Sequence, residues 1–192
     1  MKRDVSFSEQ QWLRQKWLWI LMFGINLLIL YGFIQQIVFD KPYGTQPTSD
    51  LGITLVLLLM FIVTWFLFSM RLDTTVDHNG IRYRFFPFHL TTKAISWDDV
   101  SKAYIRKYNP IMDYGGWGIR WGTSGKGNAY NVAGNMGLQL VLKNGKKLLF
   151  GTQRSDDLDR VIDQLGVKTA ERDERGLTYV QSALSVVHFL IL

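Results

Sequence analysis

The spacing of apolar and polar positions changes character after residue 70. Residues 17–39 (WLWILMFGINLLILYGFIQQIVF) and 51–70 (LGITLVLLLMFIVTWFLFSM) are apolar on every helical face and carry no charged side chain. At about 1.5 Å of rise per residue, a helix of the second run is roughly 30 Å long, the thickness of a bilayer's hydrocarbon core. The pattern predicts transmembrane helices at 17–39 and 51–70 and an integral membrane protein. Trp12, Trp17 and Trp19 near one end of the first run, and Tyr31 and Tyr43 near the other, suit a helix anchored at two interfaces. A secretory signal peptide is the competing reading. The run is too long for one, and no small-residue cleavage motif follows. Ser8 followed by Gln11 fits a capping box, which would start the first helix near Glu9.

Residues 40–50 (DKPYGTQPTSD) are polar and rich in turn formers, so the two spans form an antiparallel hairpin. Lys2, Arg3, Arg14 and Lys16 precede it, Arg71, Arg82 and Arg84 follow it, and Lys41 alone lies in the loop. The positive-inside rule then places both termini in the cytosol, in the inner membrane of a cell. Asn26 is the one strongly polar residue deep in a span. A hydrogen bond to Thr54, to Thr64 or to another copy of the chain accounts for it better than a link in a polar pathway. Two spans without a buried charge offer neither a pore lining nor an ion-coupling site.

Beyond residue 70 the period becomes two. Strands are predicted at 73–78 and 81–86 around an Asn79-Gly80 turn, both residues tolerating positive φ. Others follow at 92–96, 100–108, 118–121, 129–132, 136–142 and 146–150, the last two closing on Lys143-Asn144-Gly145. Between them, 113–137 holds eight glycines, best read as turns and bulges at positive φ. A helix begins at Ser155 as its cap, with Asp156 and Asp157 at its positive end and Leu158, Val161, Ile162 and Leu165 on one apolar face. The boundaries are therefore an N-terminal cytosolic segment 1–16, spans 17–39 and 51–70 around an extracytoplasmic loop 40–50, a cytosolic domain 71–168, and a C-terminal tail 169–192. That tail ends in VVHFLIL, too short for a comfortable third span.

The net charge of +6 sits almost wholly in the domain: residues 1–16 contribute +2, 40–50 −1, 71–169 +6 and 170–192 −1. There is no cysteine, which excludes disulfides, thiolate metal sites and a Cys nucleophile. His78, His89 and His188 are scattered without metal-ligand spacing. Gly122-Thr123-Ser124-Gly125-Lys126-Gly127 fails the phosphate-loop pattern, which needs glycine where Arg120 stands and Ser or Thr where Gly127 stands. Asp98 and Asp99, adjacent on a strand, would face opposite sides, so a turn or cap suits them better than a catalytic pair. The expectation is no enzyme, no catalytic residues, no metal and no cofactor. Nucleic acid is a poor partner, because no binding motif accompanies the charge.

The hairpin at Asn79-Gly80-Ile81, the run from Ile95 through Trp97-Asp98-Asp99 to Val100, the segment Tyr114-Gly115-Gly116-Trp117-Gly118-Ile119-Arg120, the Gly134-Asn135-Met136-Gly137 turn and Gly151-Thr152-Gln153-Arg154 before the helix together resemble the pleckstrin-homology-like domains of bacterial membrane proteins. The likeness covers roughly 71–166. It implies an α+β or all-β domain of about seven antiparallel strands, a small sandwich or barrel closed by one C-terminal helix, behind two membrane helices. It implies almost nothing about activity.

Three surfaces remain. Tyr114, Trp117, Arg120 and Trp121 form a basic-aromatic group that would suit a peptide or headgroup; the structural alternative has Trp117 and Ile119 filling the barrel while Arg120 pairs with Asp113. Arg154 stands at a helix start, where free amides can hold an anion. Lys102, Arg106, Lys107, Lys143, Lys146 and Lys147 form a basic set that either faces an anionic leaflet, at about 1 kcal/mol per cation, or is solvated surface. The function expected is a membrane-anchored interaction or scaffold module at the inner leaflet, its partner being a protein or a second copy of the chain. The alternative is an anionic-lipid or small-anion sensor.

Overall fold

The computed structural model describes residues 5–13, 15–122 and 125–167, and the tail 169–192 lies outside them. The chain divides into two compact units. One is Trp12–Arg71; the other joins the residues up to Gln11 with those from Leu72 onward.

The first unit is a helical hairpin. Helix α1 runs Lys16–Phe33 and continues as a π-helical turn, Ile34–Val38; α2 runs Asp50–Ser69. Both are long and apolar enough to cross a membrane. Only 11% of the apolar window of α2 is buried, so apart from Ile53 and Leu57 most of its Leu, Ile and Phe side chains face outward, the reverse of a core helix in a water-soluble domain. Ser49 caps α2 by accepting from the Gly52 amide at 3.2 Å. Gln36 ties the end of α1 to the start of α2, donating to Thr48 O and Asp50 Oδ1, each at 2.8 Å. Asn26 donates to Thr64 Oγ1 at 2.8 Å and to Met22 O at 2.7 Å, the interhelical bond that its position called for.

The second unit holds two sheets. Strands β1 (Phe7–Trp12), β2 (Arg71–Asp77), β3 (Gly80–Phe86) and β4 (Lys93–Ser96) form the first, in the order β1-β2-β3-β4. Strands β5 (Val100–Lys107), β6 (Gly118–Trp121), β7 (Asn128–Asn131), β8 (Met136–Leu142) and β9 (Lys147–Thr152) form the second, in the order β5-β8-β9-β7-β6. A short helix, α3 (Pro110–Tyr114), stands between β5 and β6. Helix α4 (Ser155–Gln164) buries Leu158 and Ile162 and packs on β5 and β8. Leu72 and Val76 from β2, Ile81 and Phe85 from β3, Leu138 and Leu140 from β8 and Phe150 from β9 are almost wholly buried. Phe150 stacks on Tyr130 with ring centroids 5.4 Å apart, and its ring lies 4.7 Å from that of Tyr83.

Several sequence expectations need correction. Ser8 and Gln11 do not cap a helix. They lie on β1, whose alternation (Phe7, Glu9 and Gln11 inward, Ser8 and Gln10 outward) is strand-like, so the N-terminal segment belongs to the domain rather than standing apart from it. The strands are not all antiparallel, because β7 and β9 pair in parallel. After β7 the chain crosses over one strand position in four residues to start β8, and β9, returning from β8, fills the gap it left. Two strand spacings of about 4.8 Å are within reach of four residues at up to about 3.3 Å each. The β2–β3 turn is made by His78 and Asn79, with the Asp77 side chain accepting from the Asn79 amide at 2.9 Å; Gly80, at φ +140°, begins the next strand. The turn expected for Asp98 and Asp99 is present: they sit in a 3-10 turn, Trp97–Asp99, capped by Ser96.

Candidate functional site

The glycine-rich stretch opens with α3, which the strand pattern conceals. Its first turn has the Asn109 side chain accepting from the amides of Ile111 and Met112, each at 3.1 Å, and proline as its first residue. Gly115 ends it in the left-handed conformation. Asparagine, proline and a glycine five residues on were the available signal. Of the eight glycines read as positive-φ positions, Gly115, Gly116, Gly118, Gly125, Gly127 and Gly134 are such, whereas Gly122 and Gly137 are not.

This segment covers one face of the second sheet. Tyr108 and Tyr114 bury their rings there with Ala129 and Leu149. Gly137 and Gly151 are directly opposed on β8 and β9. A Cβ on Gly137 would come within 3.3 Å of the Tyr108 ring, and one on Gly151 within 3.3 Å of its hydroxyl. The glycine pair thus leaves the seat for Tyr108, whose hydroxyl accepts from Asn131 Nδ2 at 3.1 Å. Arg106, from β5, donates to Gln139 Oε1 and to the Tyr114 hydroxyl, each at 2.9 Å. Burial pushes the Tyr108 phenol up to about 12 and the Tyr114 phenol upward as well, the latter opposed by Arg106. Both groups keep their protons more firmly folded than unfolded. Their contribution to stability is complete below pH 10, the ordinary phenol value, and is lost as pH rises toward about 12. Base titration should therefore show tyrosinate absorbance and loss of near-UV circular dichroism appearing together in that window. Tyr108→Phe should weaken the dependence and cost about 1 kcal/mol, one neutral hydrogen bond.

The basic-aromatic group does not converge on one point. Tyr114 is buried in the cluster just described. Trp117 is half-buried and donates from Nε1 to Gly134 O at 3.3 Å, so it closes a loop rather than filling the core. Arg120 does not pair with Asp113. It donates from Nε to Trp117 O at 2.9 Å, while Asp113 pairs with Lys126 at 2.7 Å and accepts from the Asn109 amide. Desolvation raises the Asp113 pKa, but Lys126, the Asn109 amide and Arg106 outweigh it and hold the carboxyl below its ordinary value. Trp121 remains 75% exposed at the end of β6, an edge strand of its sheet. Exposed Arg120 stands next to it.

Arg154 lies elsewhere and is engaged. It is the residue before α4, so Ser155 is not the cap. Its guanidinium donates to Asp157 at 2.9 Å and to Ser8 O at 3.3 Å, and lies over the Phe7 ring at 5.2 Å from the centroid. It clamps β1 onto the start of α4. Beside it, buried Glu9 accepts from Thr152 Oγ1 at 2.7 Å, the Gln153 amide at 3.0 Å and Gln11 Nε2 at 3.1 Å, and Gln11 also donates to Gly151 O at 2.6 Å. Sequence reasoning missed this inward polar group. Its signal was the alternation Phe7-x-Glu9-x-Gln11, hidden because two of the inward residues are polar.

The basic set divides as well. Arg106 is internal. Lys102 and Lys147 both stand opposite Val141, on either side of it, with Lys143 and Lys146 at the β8–β9 turn. That turn is tied to the far end of β2: the Lys143 amide donates to Asp99 O at 2.8 Å, and Trp97 Nε1 donates to Asp77 O at 2.7 Å. Lys107 borders a separate concavity of about 500 Å³ with Tyr108, Asn109, Pro110, Asp113 and Asn135. Compared with protein-family models and with curated proteins, the sequence matches none.

Proposed function

We propose that this chain is a membrane-anchored interaction module: a two-helix hairpin in the inner membrane carrying a pleckstrin-homology-like domain on the cytosolic side. The observation that carries it is the position of the hairpin between two neighbouring strands. β1 precedes α1, β2 follows α2, and β1 and β2 are adjacent in one sheet. An apolar hairpin inserted between paired strands must leave and re-enter on the same side as the domain, and the Lys and Arg flanking it make that side the cytosol. The partner surface is the edge of β6, which carries exposed Arg120 and Trp121 and has no strand on its outer side among the described residues, the setting for strand addition. Its partner is a protein, either a second copy or another chain. The anion-sensing alternative has less to recommend it, since Arg106 and Arg154 are engaged with side chains of the domain itself and Lys107 stands apart from the four lysines near the β8–β9 turn.

A photo-crosslinking residue in place of Trp121, in the full-length chain in native membranes, tests the reading. A discrete protein adduct that Arg120→Glu abolishes is the expected result. Labelling of lipid alone, or of nothing, would count against it.

A further inference from the structure

The phase of the β6–β7 ladder decides which backbone groups of β6 face outward. Trp121 pairs with Asn128, Arg120 with Ala129 and Ile119 with Tyr130. One step further, the Gly122 amide donates to Gly127 O at 2.6 Å. Bonded and non-bonded pairs alternate along an antiparallel ladder, so Arg120 is bonded to β7 while Ile119 and Trp121 turn their N–H and C=O groups to the outer edge. β6 is the end strand of its sheet. Ile119 and Trp121 share one face, and Arg120 lies on the other. The edge therefore presents a fixed pattern: an apolar residue, a cation and a second apolar residue, with the main-chain groups of the two apolar residues directed outward.

The cation has room for a partner. Arg120 is exposed and spends its Nε on Trp117 O at 2.9 Å. Its terminal nitrogens meet no carboxylate among the described residues; Asp113, the acid nearest to it in sequence, pairs with Lys126. Arg120 also discriminates between occupants. Residues directly opposite in a sheet point to the same face, so β6 can pair with itself about a two-fold axis only where the axis passes through a residue. Centred on Arg120, such a pairing uses both outward-facing residues. It also sets Arg120 against the same residue of a second copy in a non-bonded pair, with about 4.5 Å between α-carbons, where like charges are destabilising. Centred on Ile119, it brings Trp121 opposite Trp117, whose carbonyl Arg120 already occupies. Centred on Trp121, it carries the position opposite Ile119 past the end of β6.

We propose that the occupant of the β6 edge is an extended segment of another protein that carries an acidic residue between two apolar ones. Added antiparallel to β6, its apolar residues pair with Ile119 and Trp121 through the backbone and cover the exposed indole, while the acid meets the Arg120 guanidinium on the other face. Opposite charges across a ladder are favourable where like charges are not, so the arginine that keeps identical strands apart selects this one. The proposal rests on the reading of β6 as the partner surface and adds the chemistry of what binds there.

Two synthetic nonapeptides, alike except for a central Val-Glu-Val or Val-Lys-Val, carry the test, titrated by fluorescence anisotropy against the full-length chain in lipid nanodiscs. The Glu peptide should bind about fivefold more tightly than the Lys peptide. Arg120→Glu should invert that order and Arg120→Ala should remove it, the unfolding midpoint staying in place because the side chain is exposed. N-methylation of both valines takes away the donors of the ladder and should abolish binding. Equal affinity for the two peptides, or binding of neither, would overturn the proposal. So would a photo-adduct at position 121 that joins two copies of the chain, since the occupant would then be a second copy. Any of these results with a protein adduct at 121 leaves β6 the partner surface and rejects only the acidic segment, whereas labelling of lipid alone at 121 rejects both.

Discussion

Deleting residues 1–11 ahead of the first helix should unfold the domain that begins sixty residues later. β1 occupies an edge of the first sheet, and its inward side chains are Phe7, Glu9 and Gln11. Full burial of a side chain the size of Phe7 contributes roughly 1.5–3 kcal/mol. Without Glu9 and Gln11, Thr152 Oγ1, the Gln153 amide and Gly151 O lose partners in a buried place. Each group left unsatisfied costs about 1–3 kcal/mol. Arg154 loses the Phe7 ring and the Ser8 carbonyl. Together these approach the about 5–15 kcal/mol that holds an ordinary domain folded. Hydrogen exchange should report loss of protection through β2, β9 and the start of α4, and limited proteolysis should cut there. The isolated segment 71–169 should behave alike and recover when residues 5–12 are fused back to it. Equal protection with and without β1 would show that the strand is an ornament. Glu9→Leu discriminates further, since it keeps the strand and removes the acceptor.

That dependence explains what could and could not be read from the residues. The two apolar helices were legible because nothing but uninterrupted apolarity was needed to see them, and the β8–β9 hairpin because Lys143-Asn144-Gly145 separates two alternating runs. β1 was not, since an inward face of Phe, Glu and Gln has no hydrophobic period, and the β9 partners of Glu9 and Gln11 lie 140 or more positions away in sequence. Helix α3 was overlooked because five residues are too few to show a period of 3.6, although Asn109, Pro110 and Gly115 marked both its ends. The parallel pairing of β7 with β9 follows from the order in which strands fill a sheet, which no local pattern encodes. Candidate site residues were the least legible. Their types suggested binding, but Tyr114, Arg106 and Arg154 have been drawn into internal hydrogen bonds and ion pairs, and only tertiary neighbours decide that.

Gly80→Ala should weaken the first sheet far more than an alanine in place of the glycine at the other prominent hairpin. Gly80 has φ +140°, a conformation that an L side chain adopts only under strain, at a cost of about 1–3 kcal/mol. Space is the larger problem. A Cβ there would overlap the backbone oxygen of Ile95 and stand 3.0 Å from its carbonyl carbon and 3.1 Å from the α-carbon of Ser96. These are main-chain atoms of β4, paired with Gly80 and Ile81 at the end of the β3–β4 ladder. No rotamer change relieves the clash, so β4 must move. A strand of four residues at a sheet edge has little to hold it. Trp97, whose indole donates to Asp77 O at 2.7 Å, would shift with it. Gly145, at φ +80°, has nothing within 4 Å of its would-be Cβ, so Gly145→Ala meets backbone strain alone. For a domain of this size each kcal/mol lowers the unfolding midpoint by about 4–8 °C. Gly80→Ala should therefore depress it several times more than Gly145→Ala, with amide exchange in Lys93–Ser96 rising before that of β2. Equal midpoints for the two variants would mean that β4 gives way freely, and that the close approach at Gly80 does not hold the strand in register.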